Sequence, residues 1–100
     1  MTIKELLSKL QQNTQNDSIE WTNVSSGGFR FVSNTGAVNI VLLSNGYYEI
    51  KLYDMDACFA VYRTYEVTEI HQVAGALYQA IISSINRAIE RKIGDVFAGM

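Results

Sequence analysis

Apolar residues along this chain change their spacing twice. Ile3, Leu6, Leu7 and Leu10 recur at intervals of three and four, the spacing of one helix face. Thr2 and Glu5 form a T-x-x-E capping box, in which each side chain accepts from the other residue's backbone N–H. The stripe stops in Gln11-Gln12-Asn13-Thr14-Gln15-Asn16-Asp17, which has nothing to bury. The pattern therefore predicts a helix of about three turns followed by a polar loop. Such a helix is marginal alone and must dock.

From Ser18 to about Thr64 the period becomes two. Ile19 and Trp21 alternate with Glu20 and Thr22, Phe29 and Phe31 flank Arg30, and Tyr48, Ile50 and Leu52 alternate with Glu49 and Lys51. Between these runs sit Ser25-Ser26-Gly27-Gly28, Ser33-Asn34-Thr35-Gly36, Ser44-Asn45-Gly46 and Asp54-Met55-Asp56. Turn residues in that rhythm predict an antiparallel meander of five short strands.

The last third returns to helical spacing. Thr68 is the expected N-cap, with Glu69 at the positive end of the dipole. Ile70, Val73, Ala74, Leu77, Ile81, Ile85, Ala88 and Ile89 form the buried stripe. Arg87, Arg91 and Lys92 suit the negative pole, and Gly94 is the expected stop. The resulting rod of roughly 35 Å exceeds the width of a small sheet, so the helix overhangs. Gly75, between Ala74 and Ala76, leaves a smooth patch for close approach to the sheet.

Asn45-Gly46 is the strongest local signal, because a two-residue type I′ turn needs positive φ at both central positions. That turn sets Leu43 opposite Tyr48, Val41 opposite Ile50 and Asn39 opposite Leu52. A three-residue Asn34-Thr35-Gly36 loop, with Gly36 at a bulge, adds Phe29 and Phe31 to this face. A loop from Asp54 to Ala57 adds Phe59 and Val61. The expected core face is thus Phe29, Phe31, Val41, Leu43, Tyr48, Ile50, Leu52, Phe59 and Val61. The other face carries Val32, Val38, Ile40, Leu42, Tyr53, Cys58, Ala60 and Tyr62, edged by Arg30, Glu49 and Lys51. A solvated face should be more polar than this, so something is expected to cover it. The N-terminal helix, a second copy of the chain and a foreign partner are the three occupants to weigh.

One hundred residues fit one α-βββββ-α domain, residues 1–100, of the α+β class. A net charge of −2 with interspersed signs argues against a duplex nucleic-acid footprint. Cys58 is the sole cysteine, which excludes an intramolecular disulfide. No apolar run reaches the roughly 18 residues of a membrane span, and the chain opens directly into a helix pattern rather than a signal peptide. These features lead to an expectation of a cytoplasmic protein.

Candidate chemistry is sparse. His71 is the only histidine, and with Cys58 it cannot supply a tetrahedral metal set. A Cys58–His71 nucleophile–base pair would need the two side by side, whereas Cys58 reads as a strand residue. Asp54 and Asp56, with Glu49, lack the further acceptors and glycine of a calcium loop. Ser25-Ser26-Gly27-Gly28 joins two strands and has no Lys-Ser/Thr and helix after it, unlike a phosphate-binding loop. Arg30, Lys51 and Arg63 with Tyr47, Tyr53 and Tyr62 are the one constellation that could stack bases and hold phosphates. On the expected register Arg30, Lys51, Tyr53 and Tyr62 share the outer face and Arg63 points inward.

The meander followed by a long helix resembles the layout of a family of single-strand binders in which two helices pair. The short, proline-free, acidic helix–meander–helix chain also resembles small phage-encoded inhibitors of the anti-CRISPR type, in architecture rather than in a motif. That resemblance implies function by occlusion in a host cytoplasm, a rigid surface blocking the substrate site of a larger machine. The residues lead to a non-enzymatic, homodimeric protein-binding module without cofactor or metal. Its expected contact set is Arg30, Ile40, Leu42, Glu49, Lys51, Tyr53, Asp54, Asp56 and Tyr62. The alternative is a binder of single-stranded nucleic acid or a small anionic nucleotide-like ligand through the aromatic and basic residues.

Overall fold

The structure, a computed structural model, describes residues 1–24 and 27–100. Helix α1 spans Ile3–Gln15 and is followed by strands β1 (Thr22–Val24), β2 (Gly28–Val32), β3 (Gly36–Leu42), β4 (Tyr48–Asp54) and β5 (Ala57–Arg63). A single 3-10 turn, Thr68–Ile70, leads into helix α2, His71–Phe97. The five strands form one antiparallel sheet in chain order, the expected meander. Ser25 and Ser26, half of the expected first hairpin turn, lie outside the described residues.

The N-terminal cap forms in part as expected. Glu5 N donates to Thr2 Oγ1 at 3.1 Å, but the Glu5 carboxylate accepts from the Thr2 hydroxyl rather than from its backbone. α1 then runs past Leu10, through residues expected to be loop, because Thr14 extends the buried stripe. Thr14 Oγ1 donates to Leu10 O at 2.6 Å and accepts from Trp21 Nε1 at 2.9 Å, so this buried hydroxyl fastens α1 to the start of the sheet. At the other end, Thr68 opens the 3-10 turn instead of capping α2, which has no side-chain cap bond. α2 continues through Gly94 to Phe97, a rod of about 40 Å.

Both helices pack on one face of the sheet. Leu7 and Leu10 of α1 and Ala74, Leu77, Tyr78 and Ile81 of α2 meet Val38, Ile40, Tyr48 and Ile50. Each fully buried aliphatic contributes about 1.5–3 kcal/mol. Gly75 lies under the Tyr48 ring, where a Cβ would stand 3.5 Å from Cε2, so the smooth patch on α2 receives an aromatic side chain.

The register of β3 is one residue away from the expected one. Ile40 pairs with Ile50, Val38 with Leu52 and Leu42 with Tyr48. Gly46 alone takes positive φ in the β3–β4 loop, at 85°, and Asn45 does not. Leu43 N bonds to Tyr47 O, Gly46 N to Leu43 O, and Asn45 Oδ1 accepts from Tyr47 N. The loop is therefore one residue longer than a type I′ hairpin, and every β3 side chain changes face. The β2–β3 loop compensates: Ser33 N bonds to Gly36 O, and its hydroxyl accepts from Gly36 N, which leaves only Asn34 and Thr35 between them. Phe29 and Phe31 consequently stay on the core face, opposite Ile40 and Val38.

β5 also changes face, through an irregularity opposite Leu52 and Tyr53 that leaves Phe59 without a cross-strand partner. Tyr62 comes opposite Ile50 and packs against the core, while Phe59 is 65% exposed. Ile40 and Tyr62 are thus corrected from the outer face to the core face, and Leu42 to its exposed rim. Val41 and Val61 move outward, and Leu43 falls in the loop. Because α1 lies beside α2, it does not cover the outer face.

Candidate interaction surface

The outer sheet face is a set of closed polar contacts. Thr22, Arg30, Asn39, Lys51 and Val61 form one row across the strands, and Val41, Glu49 and Arg63 form the next. Arg30 Nη1 donates to Asn39 Oδ1 at 2.9 Å, and the guanidinium carbon lies 4.8 Å from the centre of the Tyr53 ring. Glu49 sits between two cations: its carboxylate is 3.0 Å from Arg63 Nε and 3.8 Å from Lys51 Nζ. The Glu49 hydrogen bond raises the pKa of Arg63 above its ordinary value. Arg63 therefore points outward, a correction to the inward orientation expected from the sequence.

Of the expected contact set, the structure brings Arg30, Glu49, Lys51 and Tyr53 together on this face. Asp54 and Asp56 are exposed in the β4–β5 turn, where Met55 takes φ 54°. Ile40, Leu42 and Tyr62 are not part of the face. With Ile40 inside the core and Leu42 at the rim of the opposite face, what remains is a paired polar surface with Val32 and Val61 exposed at its margins.

Cys58 and His71 stand at opposite ends of the sheet. Cys58 pairs with Tyr53 at one end of β4, while His71 contacts Tyr47 and Tyr48 at the other, roughly 17 Å along the strand. His71 Nδ1 is 2.9 Å from Thr64 Oγ1, and that buried oxygen accepts from Tyr48 N at 2.9 Å. The histidine thus ties the start of α2 to the last turn of the sheet. Among the described residues, no group of three His, Cys, Asp or Glu is placed to hold a metal ion. No helix of the described residues is long and apolar enough to cross a membrane.

The second surface is the far end of α2. A polar clasp marks where the helix leaves the body: Arg87 Nη2 is 2.9 Å from Asp17 Oδ1 and also reaches the carbonyls of Thr14 and Gln15. Ser84 Oγ donates to the same carboxylate at 2.8 Å. These hydrogen bonds, led by that of Arg87, hold the Asp17 carboxyl at a pKa of about 2. Arg87, expected to complement the end of its own helix, instead caps α1.

Beyond this clasp α2 is exposed on all sides. Ile89, Ile93, Val96 and Phe97 are 51%, 53%, 61% and 55% exposed. With Ile85 they continue one apolar stripe along the projecting turns. The chain matches no family model, no curated protein and no solved structure.

At the base of the stripe, Ile85 and Ile89 face Ile19 and Trp21 across an open groove of about 370 Å³. Asp17, Glu20, Arg91 and Lys92 rim it. The sequence carried the signal for this surface in the spacing of Ile85, Ile89, Ile93 and Phe97. The expectation of a helix stop at Gly94 cut that stripe short; Ile85 packs against the core as expected, whereas Ala88 and Ile89, also expected there, are exposed.

Proposed function

We propose that this chain is a non-enzymatic protein-binding module whose contact surface is the projecting end of α2. The observation that carries this reading is the run of half-exposed Ile89, Ile93, Val96 and Phe97 on a helix that has left its own core. An apolar helical stripe in water is the usual donor for a helix-in-groove or helix-to-helix contact. A compact body with one projecting helix also suits an inhibitor that occludes a larger machine, the mode implied by the architectural resemblance to phage-encoded inhibitors.

Binding of single-stranded nucleic acid draws less support, since Arg30 bonds to Asn39 and lies over the Tyr53 ring, and Glu49 adds negative charge beside Lys51. Ile93→Glu tests the module directly. Ile93 touches none of the core, so the variant should keep the circular dichroism and melting temperature of the wild type. Native mass spectrometry of protein isolated from cells should show the wild type in an assembly that Ile93→Glu loses. A wild type that associates with no protein, itself included, or an assembly untouched by the substitution, would overturn the reading.

A further inference from the structure

Resting on that reading, we infer that the occupant of the α2 stripe is the same stripe of a second copy, paired in parallel about a two-fold axis along the helices.

The charges flanking the stripe specify this arrangement. At about 100° per residue, Glu90 and Lys92 fall on opposite sides of the stripe, each about 80° from its centre and about 3 Å apart along the axis. Both are exposed, and neither has an ion-pair partner among the described residues. A two-fold parallel to the helix brings one copy's left flank against the other's right flank at the same height. Glu90 of each copy then meets Lys92 of the other, twice, as flanking charges do in parallel helix pairs. An antiparallel two-fold sets each flank against its own kind and makes neither contact.

The apolar seam is self-complementary in the same register, with Ile89, Ile93 and Val96 each meeting their own copies near the axis. Lys92 rims the groove toward Ile19 and Trp21, so the body lies on the Lys92 side of the seam and the two-fold sets the two bodies on opposite flanks. Ile89, Ile93, Val96, Phe97 and Met100, mostly half-exposed, offer on the order of 500 Å² per copy. Two copies therefore reach about 1,000 Å², the lower bound of a specific interface.

Sedimentation velocity on the full chain, from low micromolar to high micromolar concentration, tests the pairing. The wild type should shift from one to two chain masses over this range, and Ile93→Glu should stay at one. Glu90→Lys and Lys92→Glu should each weaken self-association at least tenfold, while an equimolar mixture of the two variants should recover the dimer, because the mixed pair restores both contacts. A mixture no better than either variant would overturn the parallel register. A wild type that stays monomeric throughout would overturn the second copy as occupant. Protein binding through the α2 stripe would then stand only if a different protein is lost from the native assembly with Ile93→Glu, so the two failures are told apart.

Discussion

The Asp17 carboxylate lies 2.9 Å from the Arg87 guanidinium, joining residues seventy positions apart. It closes the loop after α1 onto α2 at the point where the long helix leaves the body. Asp17 itself takes φ 58°, a left-handed conformation that Asp and Asn tolerate better than most residues.

This pair makes stability depend on acid. The folded-state pKa of Asp17 is depressed from 3.8 to about 2, so its contribution is present above the unfolded value and is lost as pH falls from about 5 through 2. Asp17→Asn keeps the backbone conformation and removes the charge. The variant should melt a few degrees below the wild type at pH 7, and the gap should narrow as pH falls below about 5, with most of it gone by pH 2. An equal gap at both values would show that the ionised carboxylate is not what stabilises the clasp.

Ile40 is a core residue, and its substitution is expected to act on folding. It is 0% exposed and faces Ile50 across β3 and β4. Ile40→Ala should cost about 2–5 kcal/mol in denaturant unfolding, and Ile40→Glu should fail to fold. A well-folded Ile40→Glu would mean that β3 adopts the other register.

Thr14 and Trp21 form a coupled pair. Thr14→Val leaves the indole N–H of a largely buried tryptophan without its acceptor, at a cost of about 1–3 kcal/mol. In a Trp21→Phe background there is no N–H to strand, so the same substitution should cost less. A double-mutant cycle in urea measures the difference, and additive effects would dissociate the two residues.

Two glycines should respond to alanine with opposite signs. A Cβ at Gly28 would come within 2.7 Å of Val41 Cγ2 and 2.8 Å of Val24 Cγ2. Gly28→Ala should therefore destabilise by about 1–3 kcal/mol through overpacking. A Cβ at Gly75 meets the Tyr48 ring at 3.5 Å, an ordinary contact inside a helix. Gly75→Ala should stabilise by roughly 0.5–1 kcal/mol. Thermal melts of both variants check the pair.

What the sequence determined by itself was local. The three- and four-residue spacing of Ile3, Leu7 and Leu10 and of Leu77, Ile81 and Ile85 marks two helices, and alternation with regular turns marks five strands. These follow from periodicity, which needs no knowledge of neighbours. The tertiary structure decided which face each strand shows. A two-residue turn at Asn45-Gly46 and the longer loop that forms differ by one residue, and that difference moves Ile40 from surface to core. Locally the turn sequence suits either loop; burying Val38, Ile40 and Tyr62 beneath α1 and α2 selects one. The same holds for the interaction surface. The spacing of Ile85, Ile89, Ile93 and Phe97 is written in the chain, but whether such a stripe is core or contact depends on where the sheet ends beneath the helix. The Asp17–Arg87 clasp, seventy residues apart in sequence, marks that boundary.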